Sequence, residues 1–219
     1  TFMSQPSTLP DLPINPHHVA RQFARRGDLS EAQFLYGEIA RRMMGRLGYI
    51  RLQPATILDA GCGTGDNLPL LRERDPQAAY IGLDHCEPLL AQARQRFAPP
   101  RLTALVGRLT GRGPAAPRFI NADLAATGLA PESLDMVWSN LALHWHPAPH
   151  AALAEWRRIL RVGGLAMFSC LGPGTLRELR QALTDAGLDT ATPGFVDMHD
   201  FGDLLVENGF ADPVMDQET

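Results

Sequence analysis

Lysine is absent from this chain: all 20 basic residues among its 219 are arginines. Two readings of that bias stand side by side. It is a coding preference, and overall charge then bears only on solubility and association, or it supplies guanidinium forks that grip carboxylate or phosphate. Acids outnumber arginines, and the net charge of −4 excludes the broad basic footprint of a general nucleic-acid binder. Cysteine is scarce, with Cys62, Cys86 and Cys170 scattered and odd in number. That excludes a disulfide framework and predicts reduced thiols in a cytoplasmic protein. No apolar run approaches a membrane span, and no leading segment has the charged, apolar and cleavage regions of a signal peptide. Thr1 and Phe2 precede Met3 and read as additions ahead of a natural start.

What is present is ordinary for a globular domain: 45% apolar and 20% charged residues, in a length that lets a sheet be covered on both faces. Residues 1–16, rich in Pro and Ser, read as a flexible lead-in, and 17–219 as one domain opening with a helical cap over about 17–50. Within that cap Ala32, Leu35, Tyr36, Ile39, Met43 and Leu47 recur at helical spacing, and Ser30 suits the N-cap. Strands are predicted at 56–60, 79–83, 118–122, 134–139 and 165–170. Helices are predicted near 66–73, 87–97, 149–161, 174–186 and 200–208. This alternation is the signature of an α/β fold with a parallel sheet between helical layers. Gly163-Gly164 reads as the turn into the strand at 165. Residues 98–117, with four prolines and three glycines, read as a loop or insertion. A strand starting near Val214 would leave the sheet with an incomplete C-terminal hairpin.

Residues 57–65 read ILDAGCGTG. A glycine turn between strand and helix lets backbone approach a ligand while the helix N-terminus offers free N–H groups. The Gly-Lys-Ser/Thr of a phosphate-gripping loop is missing, and Gly61, Gly63 and Gly65 alternate where a dinucleotide fingerprint would space them G-x-G-x-x-G. Asp59 just before them would repel a pyrophosphate but suits a ligand with positive charge. S-adenosyl-L-methionine, with a sulfonium, an ammonium and no phosphate, meets that requirement. Downstream, Asp84 ends the next strand about 20 residues on, where an acid accepts ribose hydroxyls. Asp123 ends the third strand, suited to the adenine amino group. The fourth opens at Ser139 and Asn140. All four features sit at C-terminal strand ends, where open α/β sheets bind ligands.

ILDAGCGTG, GLDHCEPLLAQAR, NADL and VGGLAMFS together resemble the successive motifs of class I S-adenosylmethionine-dependent methyltransferases. The resemblance implies a three-layer, Rossmann-like sheet of order 3-2-1-4-5-7-6. It also implies Asp59, Gly61, Cys62, Gly63 and Gly65 at the methionine end, Asp84 and His85 at ribose and adenine, and Asp123 and Leu124 at the adenine edge. WSNLALHW, FSCLGPGTLRELRQAL and FVDMHDFGDLLVENGFADPVMDQE are similar to the malonyl-acyl-carrier-protein O-methyltransferases of biotin synthesis. That similarity covers residue 55 onward. It implies methylation of the free carboxylate of a malonyl thioester, with S-adenosyl-L-homocysteine as co-product. It further implies an acyl carrier protein, or another acidic thioester carrier, as partner. Charge, apolar runs and ligand spacing lead to no expectation of nucleic acid, membrane or metal. An acidic carrier would dock on a basic edge. The acid-free stretch bearing Arg94, Arg96, Arg101, Arg108, Arg112 and Arg118 is the first place to look.

The N-terminal stretch RRGDLSEAQFLYGEI departs from the tyrosine-bearing pattern of that family, with only Phe34 and Tyr36 aromatic. DLSEAQFLYGEIARRM also resembles mitochondrial complex I assembly proteins, methyltransferase-like relatives that hydroxylate an arginine. A non-catalytic assembly protein that keeps a cofactor pocket is the remaining alternative.

HWHPAPH, residues 144–150, invites a metal reading, but the cysteine or acid at set spacing is missing. His144, four residues past Asn140, is expected at the mouth of the site, either touching substrate or donor or packed as a structural imidazole. Trp145 is a candidate lid over donor or acyl chain. Trp138 reads as core, Cys62 as a small loop residue, Cys170 as packing, and His17 and His18 as surface. A carboxylate attacking a methyl sulfonium is already a nucleophile, so positioning and exclusion of water are the expected means of catalysis.

Overall fold

The computed structural model describes residues 11–25, 30–98, 115–188 and 195–218, the side chains of 30–32 excepted. Along the chain run α1 (Pro16–Arg25), α2 (Ser30–Leu47), β1 (Thr56–Ala60), α3 (Leu68–Arg74), β2 (Ala79–Asp84) and α4 (Glu87–Arg96). They are followed by β3 (Arg118–Asn121), β4 (Leu134–Asn140), a 3-10 turn (Leu143–Trp145), α5 (Pro149–Ile159), β5 (Leu160–Ser169), α6 (Arg177–Asp185) and α7 (Met198–Glu207). The five described strands form a parallel sheet in the order β3-β2-β1-β4-β5.

Central strands buried on both faces read as continuous apolar runs, and period-2 alternation then assigns each side chain to a face. Ile57, Tyr80, Met136 and Trp138 pack under α2 and α3, with Ala40, Met43, Leu47, Leu68 and Leu71. Leu58, Ala60, Ile81, Leu83 and Val137 point the other way, toward Leu153 and Trp156 of α5 and Phe201, Leu204 and Leu205 of α7. Each fully buried large side chain contributes roughly 1.5–3 kcal/mol, so these two layers hold the strand ends in place. Trp138 is core, as expected.

Two expectations about the edges change. The helix before β5 ends at Ile159 and enters the strand directly, so Gly163-Gly164 lies inside β5 rather than ahead of it. Gly163 has φ +79°, and the β4–β5 register slips between Leu134 and Met136, as at a bulge. No strand follows β5 among the described residues, and Val214 is exposed coil. An isolated strand has no ladder to satisfy its N–H and C=O groups. Instead Asp216 pairs with Arg46, and Glu218 with Arg42 and Arg46, on α2. At the start of the expected cap a helix forms from Pro16 and carries His17 and His18, both exposed as expected. Just before it Leu12 N–H donates to Pro147 O at 2.7 Å. Residues 1–10 of the lead-in and 99–114 of the insertion lie outside the described residues.

Candidate active site

At the end of β1 the chain turns through Gly61, Gly63 and Gly65 with φ of +79°, +53° and +78°. Side chains rarely enter that region, and at Gly61 there is no space for one: a Cβ would lie 2.2 Å from Ala142 Cβ. Beside Gly63 nothing lies nearer to such a Cβ than Leu89 Cδ1 at 3.9 Å. The N–H groups of Gly61 and Cys62 fasten the turn to β2 by donating to Leu83 O at 2.8 and 3.0 Å. Asp84 accepts from Gly63 N–H (2.9 Å) on Oδ2 and Cys86 N–H (2.8 Å) on Oδ1. Two such bonds to a charged acceptor orient it strongly and leave each oxygen a lone pair. His85 is exposed beside it, Nδ1 3.7 Å from Asp84 Oδ1. Cys62 is buried, and desolvation pushes its thiol well above the ordinary range, so it packs rather than reacts.

Asp59 is wholly buried. It faces α2 and α3, where it accepts from Tyr80 OH at 2.7 Å and from Asn67 Nδ2 at 3.1 and 3.3 Å. Burial pushes its carboxyl up to about 7. This acid therefore ties β1 to β2 and to the entry of α3.

At the other strand ends the side chains brace one another. Ser139 Oγ donates to Ala60 O at 2.8 Å and is buried. Asn140 Nδ2 donates to Tyr36 O at 2.9 Å, while its Oδ1 accepts from Ser169 Oγ at 2.9 Å. Both residues expected to open toward the ligand are thus engaged by the chain itself. Asp123 Oδ1 takes Ala125 N–H at 2.7 Å and lies 2.9 Å from His146 Nε2. Leu124 is packed into the core.

His144 is buried, its ring centroid 5.1 Å from that of Trp145 and 5.9 Å from that of Phe195. Leu171 N–H points at its Nδ1 at 3.4 Å, a long bond that puts the ring proton on Nε2. Desolvation lowers its pKa to about 4, so it is neutral at physiological pH. Trp145 is half-buried, edge-on to Phe23 of α1 at 5.7 Å. His146 turns to Asp123, and His150 lies 3.9 Å from Asp11. The three imidazoles of HWHPAPH diverge, and among the described residues no cluster of three or more His, Cys, Asp or Glu could hold a metal. Cys170 packs against the core, pushed up to about 12 by burial.

Tyr80, Asn67, Ser169, Phe23 and His146 were not singled out as supports of the site. Each acts through a contact across more than one element, and spacing along the chain carries no signal for that.

The arrangement offers a glycine turn, an oriented carboxylate and, in the 3-10 turn after β4, a neutral imidazole. A protein-family profile described as "Methyltransferase domain" matches residues 58–168. The malonyl-[acyl-carrier protein] O-methyltransferase of Laribacter hongkongensis is 50% identical over 189 residues, covering 85% of this chain and 61% of that protein. The protein of the same name from Nitrosospira multiformis is 41% identical over 208 residues, covering 94% of this chain and 68% of its own. The chain belongs to the malonyl-[acyl-carrier protein] O-methyltransferase family. It spans about 61% of the first of these relatives and 68% of the second. A solved S-adenosylmethionine-dependent methyltransferase from Thermotoga maritima shares the fold, with a TM-score of 0.60 at 18% identity, over 89% of this chain and 81% of that one.

The profile match thus places a methyltransferase domain over residues 58–168 of the chain. The turn after β1 fits S-adenosylmethionine on two observations. The turn admits close backbone approach at Gly63, and Asp84 keeps acceptor capacity for paired hydroxyls beside it. Among the described residues no helix is long and apolar enough to cross a membrane.

Proposed function

We propose that the protein methylates the free carboxylate of a malonyl thioester carried on an acidic acyl carrier protein, with S-adenosyl-L-methionine as donor, in biotin synthesis. The observation that carries the substrate is the 41–50% identity to relatives of that name along most of the chain. The bound donor would supply a methyl group on sulfonium sulfur. In this reading Asp84 holds the ribose, Asp123 and Leu124 border the adenine with His85 nearby, and the Gly61–Gly65 turn faces the methionine end. Asp59 sets the shape of that turn from beneath, and Ser139 and Asn140 fix the floor. The acceptor carboxylate needs no general base, and a neutral His144 suits this, since its Nε2–H donates a hydrogen bond without demanding a proton. Trp145, braced by Phe23, screens the centre from water.

The carrier is placed on the arginine-bearing edge at the start of β3. Arg94 already pairs with Glu87 and Phe119 O, and Arg96 pairs with Asp66. Arg118 is exposed, and Arg101, Arg108 and Arg112 lie outside the described residues. A cytoplasmic setting with free thiols belongs to the same reading.

The test supplies purified protein with labelled S-adenosylmethionine and malonyl-carrier protein. Label recovered as a methyl ester is expected. Cofactor binding without transfer, or an added oxygen on a partner arginine, would replace the proposal with one of the two assembly-protein alternatives. Charge reversal at Arg101, Arg108, Arg112 and Arg118 should raise KM for the carrier substrate, and an unchanged KM would remove the docking edge.

A further inference from the structure

His146 belongs to no motif that the family resemblance assigns, yet it closes the contact that orients Asp123. Its ring is nearly enclosed, with Nδ1 accepting Ala148 N–H at 3.0 Å and Nε2 facing Asp123 Oδ1 at 2.9 Å. The backbone donor on Nδ1 decides the tautomer: in the neutral ring the proton sits on Nε2 and is donated to the carboxylate. Oδ1 also takes Ala125 N–H at 2.7 Å. Both donors therefore converge on one oxygen, and among the described residues Oδ2 receives none. The Asp123 side chain is otherwise about half exposed, so without His146 only its own local turn would restrain it. The imidazole is itself held, because Pro147 O accepts Leu12 N–H at 2.7 Å and Trp145 packs on Phe23.

We infer that His146 is a positioning residue for base recognition, holding Asp123 so that its unshared oxygen accepts the exocyclic amino group of adenine. The inference rests on the proposed placement of Asp123 at the adenine edge. It makes a chemical distinction: an adenosyl ligand offers an N–H donor to Oδ2, whereas the deaminated, inosyl counterpart puts a carbonyl oxygen there.

The experiment is calorimetry of S-adenosylhomocysteine and S-inosylhomocysteine against the wild type, Asp123→Asn, His146→Ala and His146→Gln, with near-ultraviolet circular dichroism to establish intact packing. The wild type should prefer the adenosyl ligand by about tenfold or more, the range of a hydrogen bond to a charged acceptor. His146→Ala should weaken the adenosyl ligand roughly fivefold, leave the inosyl ligand unchanged, and so shrink the preference. His146→Gln, whose amide N–H can still reach Oδ1, should restore most of it. Equal weakening of both ligands in His146→Ala would mean a merely structural role, and no change in either would mean no role. Either result overturns the inference while leaving Asp123 in place, provided Asp123→Asn abolishes the preference. An Asp123→Asn protein that discriminates like the wild type would instead remove Asp123 from the adenine edge, and the inference with it.

Discussion

The two sides of the proposed site, one assigned to the donor and one to the acceptor, are built differently. On the donor side β1 and β2 are buried along almost their whole length, and the turn between β1 and α3 is held by backbone bonds and glycine geometry. On the acceptor side β5 is half-covered, and the helix after it, α6, buries none of its described residues while Leu176 and Leu179 stand exposed. The donor side is thus specified by shape that only a few residue types can adopt. The side proposed for the acceptor relies on side chains, His144 and Phe195 among them, beside more loosely packed elements. Substitutions should therefore act on folding and binding together on the first side, and separately on the second.

The largest effect that would expose this contrast is at Gly61. Replacing it with alanine forces a Cβ onto Ala142 at positive φ, and urea unfolding should show a loss of about 3 kcal/mol or more. A loss under about 1 kcal/mol would mean the turn is softer than its contacts imply. Asp84→Ala comes next. Affinity for S-adenosylhomocysteine should fall roughly 100-fold, and because Gly63 and Cys86 lose their acceptor, stability should drop by about 1–3 kcal/mol as well. Loss of binding with unchanged stability would separate two functions that the structure joins in one carboxylate.

Stability against pH sharpens the comparison further, since each side carries one group displaced into the range between about pH 4 and pH 7. Asp59 is raised from 3.8 to about 7, so its contribution is complete below 3.8 and lost as pH rises through 7. His144 is lowered from 6.5 to about 4, so its contribution is complete above 6.5 and lost as pH falls through 4. Between those limits the two oppose each other and the wild-type profile should be nearly flat. Asp59→Asn removes one slope: relative to wild type it should gain on the order of 4 kcal/mol from pH 4 to pH 8, followed by thermal melts. A constant difference across that range would show Asp59 to titrate normally.

Smaller effects belong to the acceptor side. His144→Phe should raise KM for the malonyl carrier about tenfold while leaving S-adenosylhomocysteine affinity within twofold, a split that assigns the imidazole to the acceptor. Equal changes in both would place it with the donor. Leu179→Gln on α6 should shift stability by no more than about 0.5 kcal/mol, as expected of a surface position. A loss beyond 1 kcal/mol would mean α6 packs more closely than its exposure indicates.

Local pattern determined a good deal by itself. Apolar runs bounded by glycine, proline and acids located the five strands, because a central parallel strand must be apolar on both faces. The alternating glycines announced the turn after β1, since only glycine enters those φ values freely. Asp84 was legible for a similar reason, standing where a strand ends one unit after the turn. What the tertiary structure decided was where lone pairs and N–H groups go. Asp59 looked like a charge facing the ligand, and packing of Tyr80 and Asn67 turned it into a buried strut. Ser139 and Asn140 looked open, and the approach of Ala60, Tyr36 and Ser169 engaged them. HWHPAPH looked like one cluster, and its rings went to Leu171, Asp123 and Asp11. Backbone conformation is set by neighbours a few residues away, so it leaves a pattern along the chain. The partner of a buried polar atom is chosen by elements dozens of residues apart, and only their packing brings it within hydrogen-bond reach.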